Sequence, residues 1–167
     1  TRNFLGYPMQ LDLFCDNRRT IRLNDAGDLL RALRLEEALA IYDELLLDEP
    51  GDPELLELRR QVDDWRARLA DFSRGTVTFE RLHDLWRALS SPAPPPLTVA
   101  LRNLLIDRLA RLPAPESIYV PPRFHLGAML LAAGRYAEAE CWLARALAGG
   151  IEPRARFLAW RGDCLLR

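Results

Sequence analysis

A chain of 167 residues, 49% hydrophobic and 28% charged, holds enough apolar material for the core of a single globular domain. Its formal charge of −1 argues against a general nucleic-acid binder, and its longest strongly apolar stretch, 124–134, is too short to span a membrane. The three cysteines (Cys15, Cys141 and Cys164) show no CxxC spacing and read as reduced thiols packed like small hydrophobes.

All 23 basic residues are arginine, which base-composition bias explains without a mechanism. Their distribution is uneven. Residues 1–75 carry a net charge of −5 and residues 76–167 a net charge of +4, and the stretch from Glu36 to Glu57 holds nine acids and no base.

In chain order, residues 1–20 ("NFLGYPMQLDLF" among them) form an N-terminal extension that reads as a loop plus a short helix. Asn24 and Asp25 are natural N-caps for a helix through about Leu33. A second helix spans about Leu35 to Leu47, and Pro50 and Pro53 forbid its continuation. Pro53 suits the first turn of a third helix through Ser73. Its stripe of Leu55, Leu58, Val62, Trp65, Leu69 and Phe72 is either an intramolecular packing face or a coiled-coil seam.

Thr78 caps a fourth helix with Phe79, Leu82, Leu85, Trp86 and Leu89 inward, closing a helical region over 21–89. Residues 90–97 are a Pro-rich linker, read as a spacer more readily than as a docking motif. From 98 to 167 the pattern gives a helix from Thr98 to Leu112, a second Pro-rich connector, and helices over 123–133, 136–148 and 154–167. The short β-like runs 76–79 and 117–120 have no hairpin partners. The fold class is all-α, with about eight helices.

The chain also repeats itself. Ala26, Leu29, Ala38, Tyr42 and Leu45 recur, displaced by 101 residues, as Gly127, Leu130, Ala139, Leu143 and Ala146. In physical terms, two antiparallel helices nest closely only where one lacks bulk, so Ala139 should receive the side chains around Gly127 and Leu130.

This pattern resembles the tetratricopeptide repeat, a helix–turn–helix unit of about 34 residues. Gly127, Tyr136, Ala139 and Ala146 match its small and aromatic positions, Gly134 its turn glycine, and Pro50 its closing proline. The departures are Ile151 in place of that proline in the later copy, Arg34 where the earlier copy should turn on glycine, and an atypical middle. The helix around Gly162 resembles the first helix of a further repeat, either a terminal cap or the start of a longer array. The resemblance implies an antiparallel helix-hairpin array, an α-solenoid with a right-handed superhelix.

Little else carries chemistry. His83 and His125 have no partners at metal-ligand spacing, so no metal or cofactor is expected. The acids from Glu36 to Glu49 read as a solvated face. No glycine-rich phosphate loop or G-x-S-x-G context occurs. Cys141, beside Trp142, reads as a buried inert thiol.

Arginines are the better lead: Arg123, Arg154, Arg156 and Arg161 form a basic patch for an acidic partner, or merely solubilise the surface. Tetratricopeptide repeats that hold C-terminal carboxylates use Lys and Asn at groove positions occupied here by Leu23, Gly27, Phe124 and Ala128, so that activity is not expected. A groove lined by Phe124, Ala128 and Leu131 would take an apolar or extended segment, unless those residues bury against preceding helices.

The expectation is therefore a non-enzymatic protein–protein interaction scaffold, bacterial, soluble and cytoplasmic, with another protein or peptide as partner and neither nucleic-acid nor membrane binding. The alternative is a helical auxiliary or regulatory domain of a larger enzyme or secretion assembly. No signal peptide is visible, although a chain beginning at Thr1 leaves room for a removed upstream segment.

Overall fold

The computed structural model describes residues 9–166, with side chains from Arg18 onward. Among these residues the fold is all-α: eight helices, no strand, and a single isolated bridge between Val120 and Phe124. The helices are α1 (Met9–Arg31), α2 (Leu35–Asp48), α3 (Pro53–Ser73), α4 (Phe79–Ala88), α5 (Pro95–Leu109), α6 (Leu126–Ala132), α7 (Tyr136–Ala148) and α8 (Arg154–Leu165).

The largest difference from the sequence reading is at the start. Residues 9–23 run unbroken into residues 24–31 as one helix, so Asn24 and Asp25 lie inside α1 instead of capping it. Capping residues identify a helix start only where the backbone leaves helical geometry, and here it does not. Residues 1–8 and the side chain of Cys15 lie outside the described residues.

Chain contacts divide the molecule into two units, Thr1–Ala67 with Ala93–Leu97, and Arg68–Pro92 with Thr98–Arg167. The Pro-rich linker is thus shared: Pro95 to Leu97 open α5, Pro95 lying at its N-terminus, where a missing amide hydrogen costs nothing.

In the first unit, α1 and α2 form an antiparallel hairpin joined by three residues. Ala26, Ala38 and Val62 are completely buried, with Leu30, Leu55, Trp65 and Tyr42 nearly so. The acidic run on α2 is exposed and strapped by arginines from both neighbours. Arg22 of α1 pairs with Glu44, Arg59 of α3 lies 2.5 Å from Asp43, and Arg66 of α3 lies 3.1 Å from Glu36. At the foot of α2, Asp52 caps α3 by accepting from the amides of Glu54 (2.8 Å) and Leu55 (3.1 Å), and Arg19 reaches it at 2.7 Å. These contacts, the Leu55 amide first, hold the Asp52 carboxyl below its ordinary range.

In the second unit, α6, α7 and α8 pack in succession. The α6–α7 hairpin has the same turn as α1–α2. The amide of Arg34 donates to Leu29 O at 2.9 Å, and that of Arg135, 101 residues on, donates to Leu130 O at 3.0 Å. Both arginines precede their helices with nearly the same backbone angles (φ −88, ψ 66 and φ −89, ψ 64). Each also grips the glutamate three residues later, Glu37 and Glu138. The left-handed turn residue is Gly134 (φ 76) in one hairpin and Leu33 (φ 57) in the other. The residue standing in for glycine is therefore Leu33, one position before the Arg34 expected from the sequence.

The packing positions follow the repeat with one exception. Ala26, Ala38, Ala139 and Leu143 are fully buried, and Tyr42, Leu130 and Ala146 nearly so. Leu29 is only half-buried, and its neighbour Leu30 enters the core in its place.

Candidate functional site

The second unit carries a groove of about 300 Å³ lined by Trp86 of α4, Arg123, three residues of α6 (Ala128, Leu131 and Ala132), and Trp160 and Asp163 of α8. Its floor is rigid because the segment leading into α6 is fixed at several points. Val120 and Phe124 exchange backbone hydrogen bonds of 2.9 and 3.0 Å, closing a short loop that carries Arg123. Phe124, next in the chain, is 2% exposed, with its ring 4.8 Å from that of His83.

His125 comes next, fully buried, as the N-cap of α6. Its Nδ1 accepts from the Gly127 amide at 3.0 Å, which leaves Nε2 to donate to Glu116 O at 3.1 Å. Burial lowers its pKa, so the ring is held neutral in one tautomer. An aromatic cluster backs it: Phe157 meets His125 edge-on at 4.7 Å, Trp160 at 5.2 Å and Tyr119 at 5.3 Å. Buried edge-to-face rings of this kind add to the area they hide, and here they set the pose of Trp160 against the groove.

Of the residues expected at the interface, Arg123, Ala128 and Leu131 come together in the groove, whereas Phe124 is buried against His83 and does not line it. The other arginines hold the fold. Arg156 donates to Tyr119 Oη and, at 3.4 Å, to Pro122 O. Arg161 donates to Glu140 of α7 at 2.8 Å. Arg154 reaches Leu147 O at 3.4 Å. Arg123 and Asp163, by contrast, form no ion pair among the described residues, although both line the same groove.

Nothing local in the sequence marks Asp163 or the two tryptophans as site residues. Trp86 reads as core, and only the coming together of α4, α6 and α8 places it at the groove. Leu131 is half-exposed where its repeat counterpart Leu30 is 1% exposed, because Leu131 faces this open groove.

Cys141 is a correction: it is exposed, whereas Cys164 is buried. The buried stripe of α7 is Ala139, Leu143 and Ala146, and position 141 falls about 200° around the helix from Ala139. One Glu-x-x-His spacing exists, Glu80 to His83, but His83 stacks on Phe124 and Glu80 is exposed. No group of three or more His, Cys, Asp or Glu is placed to hold a metal among the described residues. Nor is any described helix long and apolar enough to cross a membrane. No family model, curated protein or solved structure matches this chain.

Proposed function

We propose that this chain is a tetratricopeptide-like, non-enzymatic interaction module whose second unit holds a segment of a partner protein in the groove between Trp86 and Trp160. The observation that carries this reading is the groove's chemistry: two indole rings, aliphatic α6 side chains, and two opposite charges with no ion-pair partner among the described residues. A groove walled by rigid aromatic side chains and flanked by exposed, unpaired charges suits a binding surface better than a merely solubilising one.

The partner segment carries an aliphatic or aromatic side chain for the tryptophan floor. A carboxylate on it faces Arg123 and a basic group faces Asp163, which fixes its direction. Affinity comes mainly from the apolar contact, and the two charges select orientation.

A photo-crosslinking amino acid at exposed Ala132 tests this in cells producing the protein, with exposed Ala137 on α7 as the control site. The expected result is a discrete adduct at Ala132 that Arg123→Glu and Asp163→Arg each weaken. Identical products from both sites, or an Ala132 adduct indifferent to both charge reversals, overturn the reading.

A further inference from the structure

The groove face of α6 has a counterpart on α1. At the repeat displacement of 101, Arg123, Ala128 and Leu131 correspond to Arg22, Gly27 and Leu30. The matching turn hydrogen bonds of Arg34 and Arg135 place both hairpins in that register. In the first unit this face is covered: Leu30 is 1% exposed, and a Cβ placed on Gly27 would lie 3.8 Å from Pro96 Cγ, ordinary van der Waals contact. In the second unit Leu131 is half-exposed and, with Ala128, lines the open groove.

Pro96 belongs to the chain's own Pro-rich segment, of which Ala93–Leu97 forms part of the first unit. Within it Pro94 is buried and Leu97 completely so. The second Pro-rich connector, 113–122, does not do the same for α6. Its 3-10 turn, Pro115–Ser117, accepts from His125 Nε2 through Glu116 O at 3.1 Å, and none of residues 113–122 lines the groove. Proline suits such a face because its ring is preset, carries no amide hydrogen to leave unpaired, and packs on aromatic side chains. Trp86 and Trp160 supply those side chains in the second unit.

We propose that the α6 groove takes a proline-rich segment of a partner protein, prolines followed by a leucine, as α1 takes Ala93–Leu97. This rests on the groove being a docking site and names the class of segment it holds. Arg123 and Asp163 line the same groove, so the partner segment carries an acid and a base beside its apolar stretch.

The test titrates a fluorescently labelled peptide of residues 91–98, as a probe of the apolar stretch alone, into the intact chain and follows its anisotropy. Saturable binding is expected. Serine in place of Pro94, Pro95 and Pro96 of the peptide should weaken it about tenfold or more, as should Ala132→Trp in the protein, which fills the groove. Ala132 is exposed, so circular dichroism should be unchanged by that substitution and loss of binding is separated from loss of fold. Binding indifferent to Ala132→Trp overturns the proposal, because the peptide would then be exchanging with the chain's own segment on α1. Equal binding of the serine peptide overturns it too, as does self-association of the chain that Ala132→Trp abolishes in sedimentation velocity, the occupant then being a second copy. No peptide binding, with the charge-sensitive crosslink at Ala132 still formed, overturns the proline-rich class and leaves the groove as a docking site. Loss of both overturns both.

Discussion

Leu143 of α7 closes onto Gly127 of α6 so tightly that a Cβ on Gly127 would lie 2.5 Å from its Cγ and 2.6 Å from its Cδ2. Gly127→Ala thus sets two effects against each other. Helix propensity alone would favour alanine by roughly 1 kcal/mol. Overpacking costs roughly 1–3 kcal/mol, and a clash with the branch carbon of a fully buried leucine leaves little room to yield. The expected outcome is a net loss, read as a lower midpoint in urea denaturation. Gly127→Ala combined with Leu143→Ala should lose less than the sum of the two single changes. Strict additivity would show that the close approach is not the cause.

Ala139 is fully buried in the same hairpin. Ala139→Leu should overpack α7 by roughly 1–3 kcal/mol, lowering the melting temperature by roughly 2–4 °C for each kcal/mol. An unchanged melting temperature would remove the packing reason for the alanine and the best support for the repeat.

Leu33 holds the left-handed turn between α1 and α2 at φ 57, where its counterpart Gly134 sits at φ 76. A leucine there costs roughly 1–2 kcal/mol that glycine does not. Leu33→Gly should relieve most of it, less the contacts of a half-buried side chain, and Gly134→Leu should impose it. Paired thermal melts check this through their opposite signs.

The helices were legible because their signals are local. The Pro53 start, the Thr78 cap and the 3–4 spacing on α3 each depend on residues within a turn or two, and Thr78 does accept from the Arg81 amide. The alanines at 38 and 139 were legible because the repeat states them twice. What escaped was tertiary. Nothing near Trp86 in sequence signals that α8 will bring Trp160 and Asp163 to the same groove. Likewise Arg156 and Arg161 read as free cations because Tyr119 and Glu140, which hold them, are 37 and 21 residues away.

The acidic run on α2 predicts a salt dependence. Because Arg22, Arg59 and Arg66 strap it from two other helices, Arg59→Gln with Arg66→Gln should destabilise the chain in low salt. The loss should be mostly erased near about 1 M salt, where the screening length falls to about 3 Å. Equilibrium unfolding at two ionic strengths measures the difference. A deficit independent of salt would assign the arginines' role to packing of their stems.

Two pH windows should separate in the stability profile. His125 is buried, neutral and lowered in pKa, so the unfolded chain binds its proton at a higher pH than the folded chain does. Its contribution is complete above about pH 6.5, the unfolded value, and is lost as pH falls from there toward the folded value. Carboxylates act lower down. Glu57, held at about 2 by hydrogen bonds from Arg60 and Gln61, and Glu138, lowered by Arg135, give up their contribution only below about pH 4. Asparagine at 125 can still cap α6 but cannot titrate. His125→Asn should therefore flatten the profile just below about pH 6.5 while leaving the acid limb below about pH 4 in place. Thermal melts across that range decide it. If the upper limb persists in the variant, the proton is taken up elsewhere, and the buried imidazole is not what makes the fold sensitive to mild acid.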